Sequence, residues 1–229
     1  FPPQVQLLIL YKKLKYECAG SFITQRHILT AAHCVRYRDG EPTMIEIMYG
    51  SADLTRGTEM KVKGYYRHKD YVAKRSGDIA ILLLPEPVPI TPESKAICLP
   101  EKPPNIVGKV MSVAGWGTTK KGRNAKSGSS ELMSTTQTVL APEKCKSIFP
   151  GYNARTHICA LGGWTGPCSG DSGGPLMTAT GLNFEVVGIV SYGWECENYP
   201  GPYVYSNVWH FLPWIKKALR SDGDYKMLE

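Results

Sequence analysis

Short apolar or alternating stretches recur along the chain, each bounded by Gly, Pro, Asn or Asp, and helical periodicity is scarce before the C-terminus. A strand with one face in a core repeats at every second residue, and the breakers supply the turns, so the pattern predicts an all-β chain. The run Val5-Gln6-Leu7-Leu8-Ile9-Leu10 is too short to span a membrane and is followed by Tyr11-Lys12-Lys13, which makes it a core strand and not a signal peptide. No other stretch is long enough for a membrane span. The proline-dense segment from Pro85 to Pro104, interrupted by Ile90, Ala96, Ile97 and Leu99, predicts an extended connector between two halves. Beyond Trp209, Phe211, Leu212, Trp214, Ile215 and Leu219 recur at helical spacing. They predict a C-terminal helix over about 209–220, packed on the second half, with Ser221 to Glu229 as a loose tail.

Candidate chemistry centres on Cys168-Ser169-Gly170-Asp171-Ser172-Gly173-Gly174-Pro175, where small residues let backbone amides close around whatever Ser172 attacks. A serine hydroxyl is a weak nucleophile at neutral pH unless a base stands beside it. Thr30-Ala31-Ala32-His33-Cys34 supplies an imidazole, which ionises near physiological pH and can take and return a proton. In Ser76-Gly77-Asp78, a carboxylate stands at the mouth of the apolar run Ile79 to Leu84, placed to be buried and to hold one tautomer of His33.

These motifs, in the order His, Asp, Ser and separated by 45 and 94 residues, resemble those of the trypsin-like (chymotrypsin-fold) serine proteases. The likeness extends through Phe1-Pro2-Pro3-Gln4-Val5, Cys18-Ala19-Gly20-Ser21-Phe22-Ile23, Gly115-Trp116-Gly117, Val190-Ser191-Tyr192-Gly193 and Trp214-Ile215. It implies one peptidase domain over 1–229, all-β, with two six-stranded antiparallel β-barrels and a C-terminal helix. The first barrel is expected over about 1–90, the connector over about 85–107 and the second barrel over about 108–208.

The resemblance also assigns roles. Ser172 attacks a peptide carbonyl, His33 accepts its proton, Asp78 orients His33, and the backbone N–H groups of Gly170 and Ser172 form an oxyanion hole. Ser191 supports Asp78, and Ser191, Tyr192 and Gly193 pair with an extended substrate as an added strand. Disulfides are implied between Cys18 and Cys34, Cys145 and Cys159, and Cys168 and Cys196. Cys98 is left over, implying a bond to an upstream propeptide or light chain, with a free buried thiol as the other reading.

In this family the carboxylate matching Asp171 pairs with a newly liberated α-amino group. No such sequence precedes Phe1, so either the chain is truncated or the protein dispenses with that switch; truncation is preferred, and a zymogen-like form with an ill-formed oxyanion hole is expected. Gly166 stands where trypsins carry an aspartate, and Gly193 and Gly201 fall on the walls of the specificity pocket. A large apolar preference is expected, while Glu195 near the entrance keeps a basic side chain open as an alternative.

Seven cysteines in short loops suit an oxidising compartment, so the protein is expected to be secreted. Cys-x-x-Cys and paired histidines at ligand spacing are absent, so neither a metal nor another cofactor is expected. The net charge of +7 gathers at Lys12, Lys13 and Lys15, at Arg36 and Arg38, and at Lys120, Lys121, Arg123 and Lys126, without the interleaved aromatics of a nucleic-acid groove. Nucleic acid is therefore not an expected partner; protein or peptide substrates and protein protease inhibitors are. Two other classes compete. One is a catalytically silent homologue serving as a binding module. The other is a non-peptidase esterase or acyltransferase using the same triad, which would bring the chain order Ser, Asp, His and a Gly-x-Ser-x-Gly nucleophile on a strand-to-helix turn, neither of which is present.

Overall fold

The computed structural model describes residues 4–12, 14–36, 40–74, 76–119, 128–193, 201–221 and 225–228. Its first strand shows how the sequence builds the core: Val5, Leu7, Ile9 and Tyr11 are buried while Gln6, Leu8 and Leu10 are only partly covered. That alternation turns one face of the sheet inward. The strands are β1 (Gln4–Tyr11), β2 (Leu14–Thr24), β3 (His27–Thr30), β4 (Met44–Tyr49), β5 (Thr58–Lys61), β6 (Gly64–Arg67) and β7 (Ala80–Leu83), followed by β8 (Val110–Gly115), β9 (Met133–Val139), β10 (His157–Leu161), β11 (Pro175–Thr180), β12 (Asn183–Gly193), β13 (Tyr203–Asn207) and β14 (Lys226–Met227). Among the described residues three α-helices accompany them: α1 (Lys69–Lys74), α2 (Pro142–Lys146) and α3 (Val208–Ala218).

The first sheet runs in the order β14-β6-β7-β3-β2-β1-β4-β5, antiparallel throughout. Between β5 and β6, the Val62 N–H donates to the Ile45 carbonyl at 2.9 Å and the Lys63 N–H to the Leu83 carbonyl at 2.8 Å. One bent segment therefore pairs with β4 on one side and β7 on the other, curling six strands into a half-barrel. The second half is a closed antiparallel barrel in the order β10-β13-β12-β11-β8-β9. The chain between β7 and β8 stitches the halves together: Ile97 N–H donates to the Phe22 carbonyl at 2.8 Å and Cys98 N–H to the Phe184 carbonyl at 2.9 Å.

Two expectations change. The tail is not loose where it is described, because β14 pairs with β6 and the Leu228 N–H donates to the Lys63 carbonyl at 2.9 Å. Its anchor is Tyr225, buried, with its hydroxyl on the Ala218 carbonyl at 3.2 Å. Helix α3, begun by the Asn207 side chain capping the His210 N–H, reaches beyond the second half. Trp214 stacks on Tyr66 of β6 with centroids 5.2 Å apart, and Phe211 packs edge-on against His68.

Ile81 is fully buried on β7 between β3 and β6. Ile81→Ala is expected to cost about 2–5 kcal/mol through lost burial and an uncollapsed cavity. A urea melt would show this as a lower midpoint at unchanged slope.

Candidate active site

His33 sits on the 3₁₀ turn Ala32–Val35 that follows β3. Three ties fix that turn: the Tyr11 hydroxyl donates to the Cys34 carbonyl at 2.7 Å, Arg67 Nη1 to the Val35 carbonyl at 3.3 Å, and Cys34 is bonded to Cys18. Asp78 lies just before β7 and is only 6% exposed. Its Oδ1 accepts the His33 backbone N–H at 2.8 Å; its Oδ2 accepts His33 Nδ1–H at 2.8 Å and the Ser191 hydroxyl at 2.6 Å. Its own carbonyl accepts the Ser206 hydroxyl at 2.7 Å. Asp78 is thus held from both halves: its carboxylate takes two hydrogen bonds from His33 of the first half and one from Ser191 of the second, and its carbonyl takes one from Ser206 of the second.

The local backbone explains how Ser191 gets there. The pairing of β12 with β13 slips between Val190 and Tyr192, leaving Ser191 out of the ladder and free to aim at Asp78. Burial pushes the Asp78 carboxyl up, but the His33 charge and the hydrogen bonds from His33 and Ser191 outweigh it and hold its pKa below the ordinary range. Burial likewise lowers His33, and the attraction and hydrogen bond of Asp78 reverse this, leaving the imidazole above its ordinary value.

Ser172 lies in a tight turn held by Asp171 N–H on the Cys168 carbonyl at 2.9 Å and Gly174 N–H on the Asp171 carbonyl at 3.0 Å. The Ser172 carbonyl accepts the Ala19 N–H at 2.7 Å. Ala19 follows Cys18, whose disulfide partner follows His33, so one strand segment ties down both the serine turn and the histidine turn. Gly170 has φ +103°, a conformation that favours glycine. The N–H groups of Gly170 and Ser172 donate no hydrogen bond among the described residues, while those of Asp171, Gly173 and Gly174 are all used.

The Asp171 carboxylate accepts Gly117 N–H and Cys168 N–H, each at 2.8 Å, and has no cationic partner among the described residues. Burial raises its pKa against the opposing pull of those two donors. Glycines on both sides of Trp116 leave the carboxylate its room. Beside it is a cavity of about 250 Å³ whose lining includes Gly117, Met133, Trp164 and Cys168.

Of the expected pocket residues, Gly166 and Gly193 face the ring of Tyr203, and Gly201 is buried. Tyr192 packs edge-on against Phe149 at 5.5 Å and His157 at 5.7 Å. Glu195 lies outside the described residues, as do Lys13, Arg38, residues 120–127 and Cys196. Cys145 is bonded to Cys159, and Cys168 is disulfide-bonded. Cys98 is a free thiol, and it is exposed and not buried. Arg36 is 3.6 Å from Glu41. Among the described residues, the ligand-type cluster Cys18, His33 and Cys34 offers no thiolate, because its two sulfurs are bonded to each other.

Sequence reasoning missed Tyr11 and Ser206, the hydroxyls that fix the His33 turn and the Asp78 main chain, as well as Tyr203. None sits in a local motif; each acquires its role only when strands distant in sequence are brought together.

Two antiparallel six-stranded units with a C-terminal helix, meeting at a histidine–carboxylate pair, define the chymotrypsin fold. The trypsin family model matches residues 1–215, and the chain belongs to that family. Trypsin delta of Drosophila erecta is 34% identical over 223 residues, covering 94% of this chain and 82% of that protein. Venom serine protease Bi-VSP of Bombus ignitus is 33% identical over 216 residues, covering 86% and 58%. Phenoloxidase-activating enzyme 1 of Spodoptera litura is 32% identical over 230 residues, covering 91% and 60%.

Proposed function

We propose that this protein is a secreted serine endopeptidase in which His33, Asp78 and Ser172 form the catalytic triad. The observation that carries the reading is the buried Asp78 carboxylate with two hydrogen bonds from His33 and one from Ser191. With Nδ1–H committed to Asp78, Nε2 is the free base. Ser172 Oγ bonds to the substrate carbonyl carbon as its proton passes to Nε2; the C–N bond then breaks as Nε2 protonates the leaving amine, and water resolves the acyl-enzyme by the same steps in reverse. The unused amides of Gly170 and Ser172 are the donors for the developing oxyanion, at about 3 kcal/mol each.

Substrate binding follows from the sheet edge. On the β11 side, β12 has no backbone partner beyond Val190 among the described residues, so Ser191 to Gly193 offer an open edge to an extended peptide. The uncharged Gly166 supports selection of a large apolar side chain over a basic one. Asp171, partly buried, with no cationic partner among the described residues and adjoining a cavity, supports production as a zymogen in which a liberated amino terminus supplies the missing charge. The disulfides favour an oxidising compartment, and no helix of the described residues is long and apolar enough to cross a membrane. The exposed Cys98 thiol is suited to a bond with an upstream propeptide or light chain.

A pH profile tests the triad. Activity needs neutral Nε2, and Asp78 holds the imidazole above its ordinary 6.5, so the acid limb of kcat/KM should lie above that value. A limb at or below 6.5 contradicts the pairing. For stability the signs differ. The raised His33 contributes fully below 6.5 and loses its contribution as pH rises through its folded-state value. The depressed Asp78 contributes above 3.8 and loses its contribution as pH falls through its own.

A further inference from the structure

We infer that Glu41 is a positioning residue for catalysis: its carboxylate holds the Arg67 guanidinium against the turn that carries His33. The inference rests on the peptidase reading above and adds to it a residue outside the triad and the substrate edge. Glu41 precedes β4 on a segment that is itself anchored, since the Thr43 N–H donates to the Leu10 carbonyl of β1 at 2.8 Å. Its Oε2 accepts the Tyr65 hydroxyl and Arg67 Nη1–H, the latter at 3.1 Å, and its Oε1 accepts Arg67 Nη2–H at 3.3 Å. A two-pronged pairing of this kind fixes the plane of a guanidinium as well as its place. Arg36 Nη1 and Lys226 Nζ of β14 each stand 3.6 Å from Oε1, so three cations meet on one carboxylate. Burial pushes the Glu41 carboxyl up, but the hydrogen bonds of Arg67 and Tyr65 and the charges of Arg67 and Lys226 outweigh it. Glu41 is therefore ionised throughout the range in which His33 titrates.

Arg67 stands between two members of the proposed triad. Its main chain pairs with Ala80 on β7, just beyond Asp78, while its Nη1 also donates to the Val35 carbonyl at 3.3 Å, just beyond His33. The guanidinium thus sets the approach of the His33 turn to the segment bearing Asp78. One nitrogen serves both Glu41 Oε2 and the Val35 carbonyl, which distinguishes this carboxylate from a surface ion pair of little consequence. Without it, Arg36, Arg67 and Lys226 repel one another about an empty centre. The Arg67 side chain, only 15% exposed, then has an uncompensated charge and turns toward water, away from Val35. The His33 turn loses that tie, and both 2.8 Å bonds between His33 and Asp78 lengthen. The loss falls on orientation, where a misplacement of about 1 Å can slow a reaction about 100-fold.

The experiment compares wild type, Glu41→Gln, Arg67→Met and the double variant in the activated full-length protein. For one peptide substrate, kcat and KM are followed across pH, well below each melting temperature. Each single change should lower kcat about tenfold or more with KM little changed. Because Glu41 acts through Arg67, the double variant should be no slower than Arg67→Met alone. The acid limb of kcat/KM adds a sign that charge alone does not imitate. Glu41→Gln removes a negative charge and Arg67→Met a positive one, so charge alone moves the limb down in the first and up in the second. Loosening of His33 from Asp78 moves it down in both. A smaller loss of kcat in either folded variant, losses that multiply in the double variant, or limbs that move in opposite directions or not at all overturn the inference. If Arg67→Met does not fold, Arg67→Gln takes its place. Labelling of wild-type Ser172 by a phosphonylating reagent, run in parallel, reports the peptidase reading separately. If wild type is neither labelled nor hydrolyses a peptide, that reading fails, and NMR titration of the His33 imidazole decides the rest. A midpoint that falls in both single variants upholds the hold of Glu41 on the turn; one that stays or rises in either overturns it.

Discussion

Asp78→Asn should lower kcat by about 10⁴-fold, the loss established for this kind of triad, while the protein stays folded. The reason lies in the hydrogen-bond signs. All three groups that meet the Asp78 carboxylate are donors: His33 backbone N–H on Oδ1, and His33 Nδ1–H with the Ser191 hydroxyl on Oδ2. An asparagine must turn its NH₂ toward one side. Facing the backbone N–H, it sets donor against donor with no relief, because a peptide N–H cannot invert. Facing Nδ1, it forces the imidazole proton onto Nε2, and Ser191 can rotate to accept. The second arrangement is the cheaper one, and it leaves His33 without a base on the side that serves Ser172. The variant should also shift the acid limb of kcat/KM to lower pH, since the burial that depresses the imidazole is no longer opposed by a charge. An activity within tenfold of wild type, with an unmoved limb, would show that Asp78 does not hold the tautomer.

Ser172→Ala should cost more, about 10⁶-fold in kcat, leaving only the rate supplied by binding and the oxyanion donors. Removing the hydroxyl should not disturb the turn, because the bonds that shape it are main-chain: Ala19 N–H to the Ser172 carbonyl and Gly174 N–H to the Asp171 carbonyl. The melting temperature should therefore stay within a few degrees of wild type. The pair of changes should be far from additive. Once the nucleophile is gone, the tautomer of His33 has nothing to act on, so Ser172→Ala/Asp78→Asn should be little slower than Ser172→Ala alone. Losses that multiply would mean that the serine and the carboxylate act in separate steps.

The chemistry was legible in the sequence because each member of the proposed triad sits in a short local motif, and the strand alternation of Val5, Leu7, Ile9 and Tyr11 is local as well. What stayed hidden depends on pairing between remote segments. Lys226 and Met227 are exposed and show no alternation, so nothing in the tail announces that it docks on Gly64 and Tyr65. Trp214 was legible as a member of a helix face, but its stacking on Tyr66 of the first half was not. Gly166 is the most instructive position. A glycine reads as open space in a sequence, and here that space belongs to Tyr203, delivered by a strand that pairs with Gly193. An empty position in one element says nothing about which neighbour fills it.

The central claim is that Ser172 is made nucleophilic by His33 under the control of Asp78. Its most direct test is to treat the activated protein and its His33→Ala variant with a phosphonylating reagent and locate the adduct by peptide mass spectrometry. The account predicts stoichiometric modification of Ser172 alone in wild type and slowing by orders of magnitude in the variant. Equal labelling rates in the two proteins, or an adduct on a different residue, would contradict it.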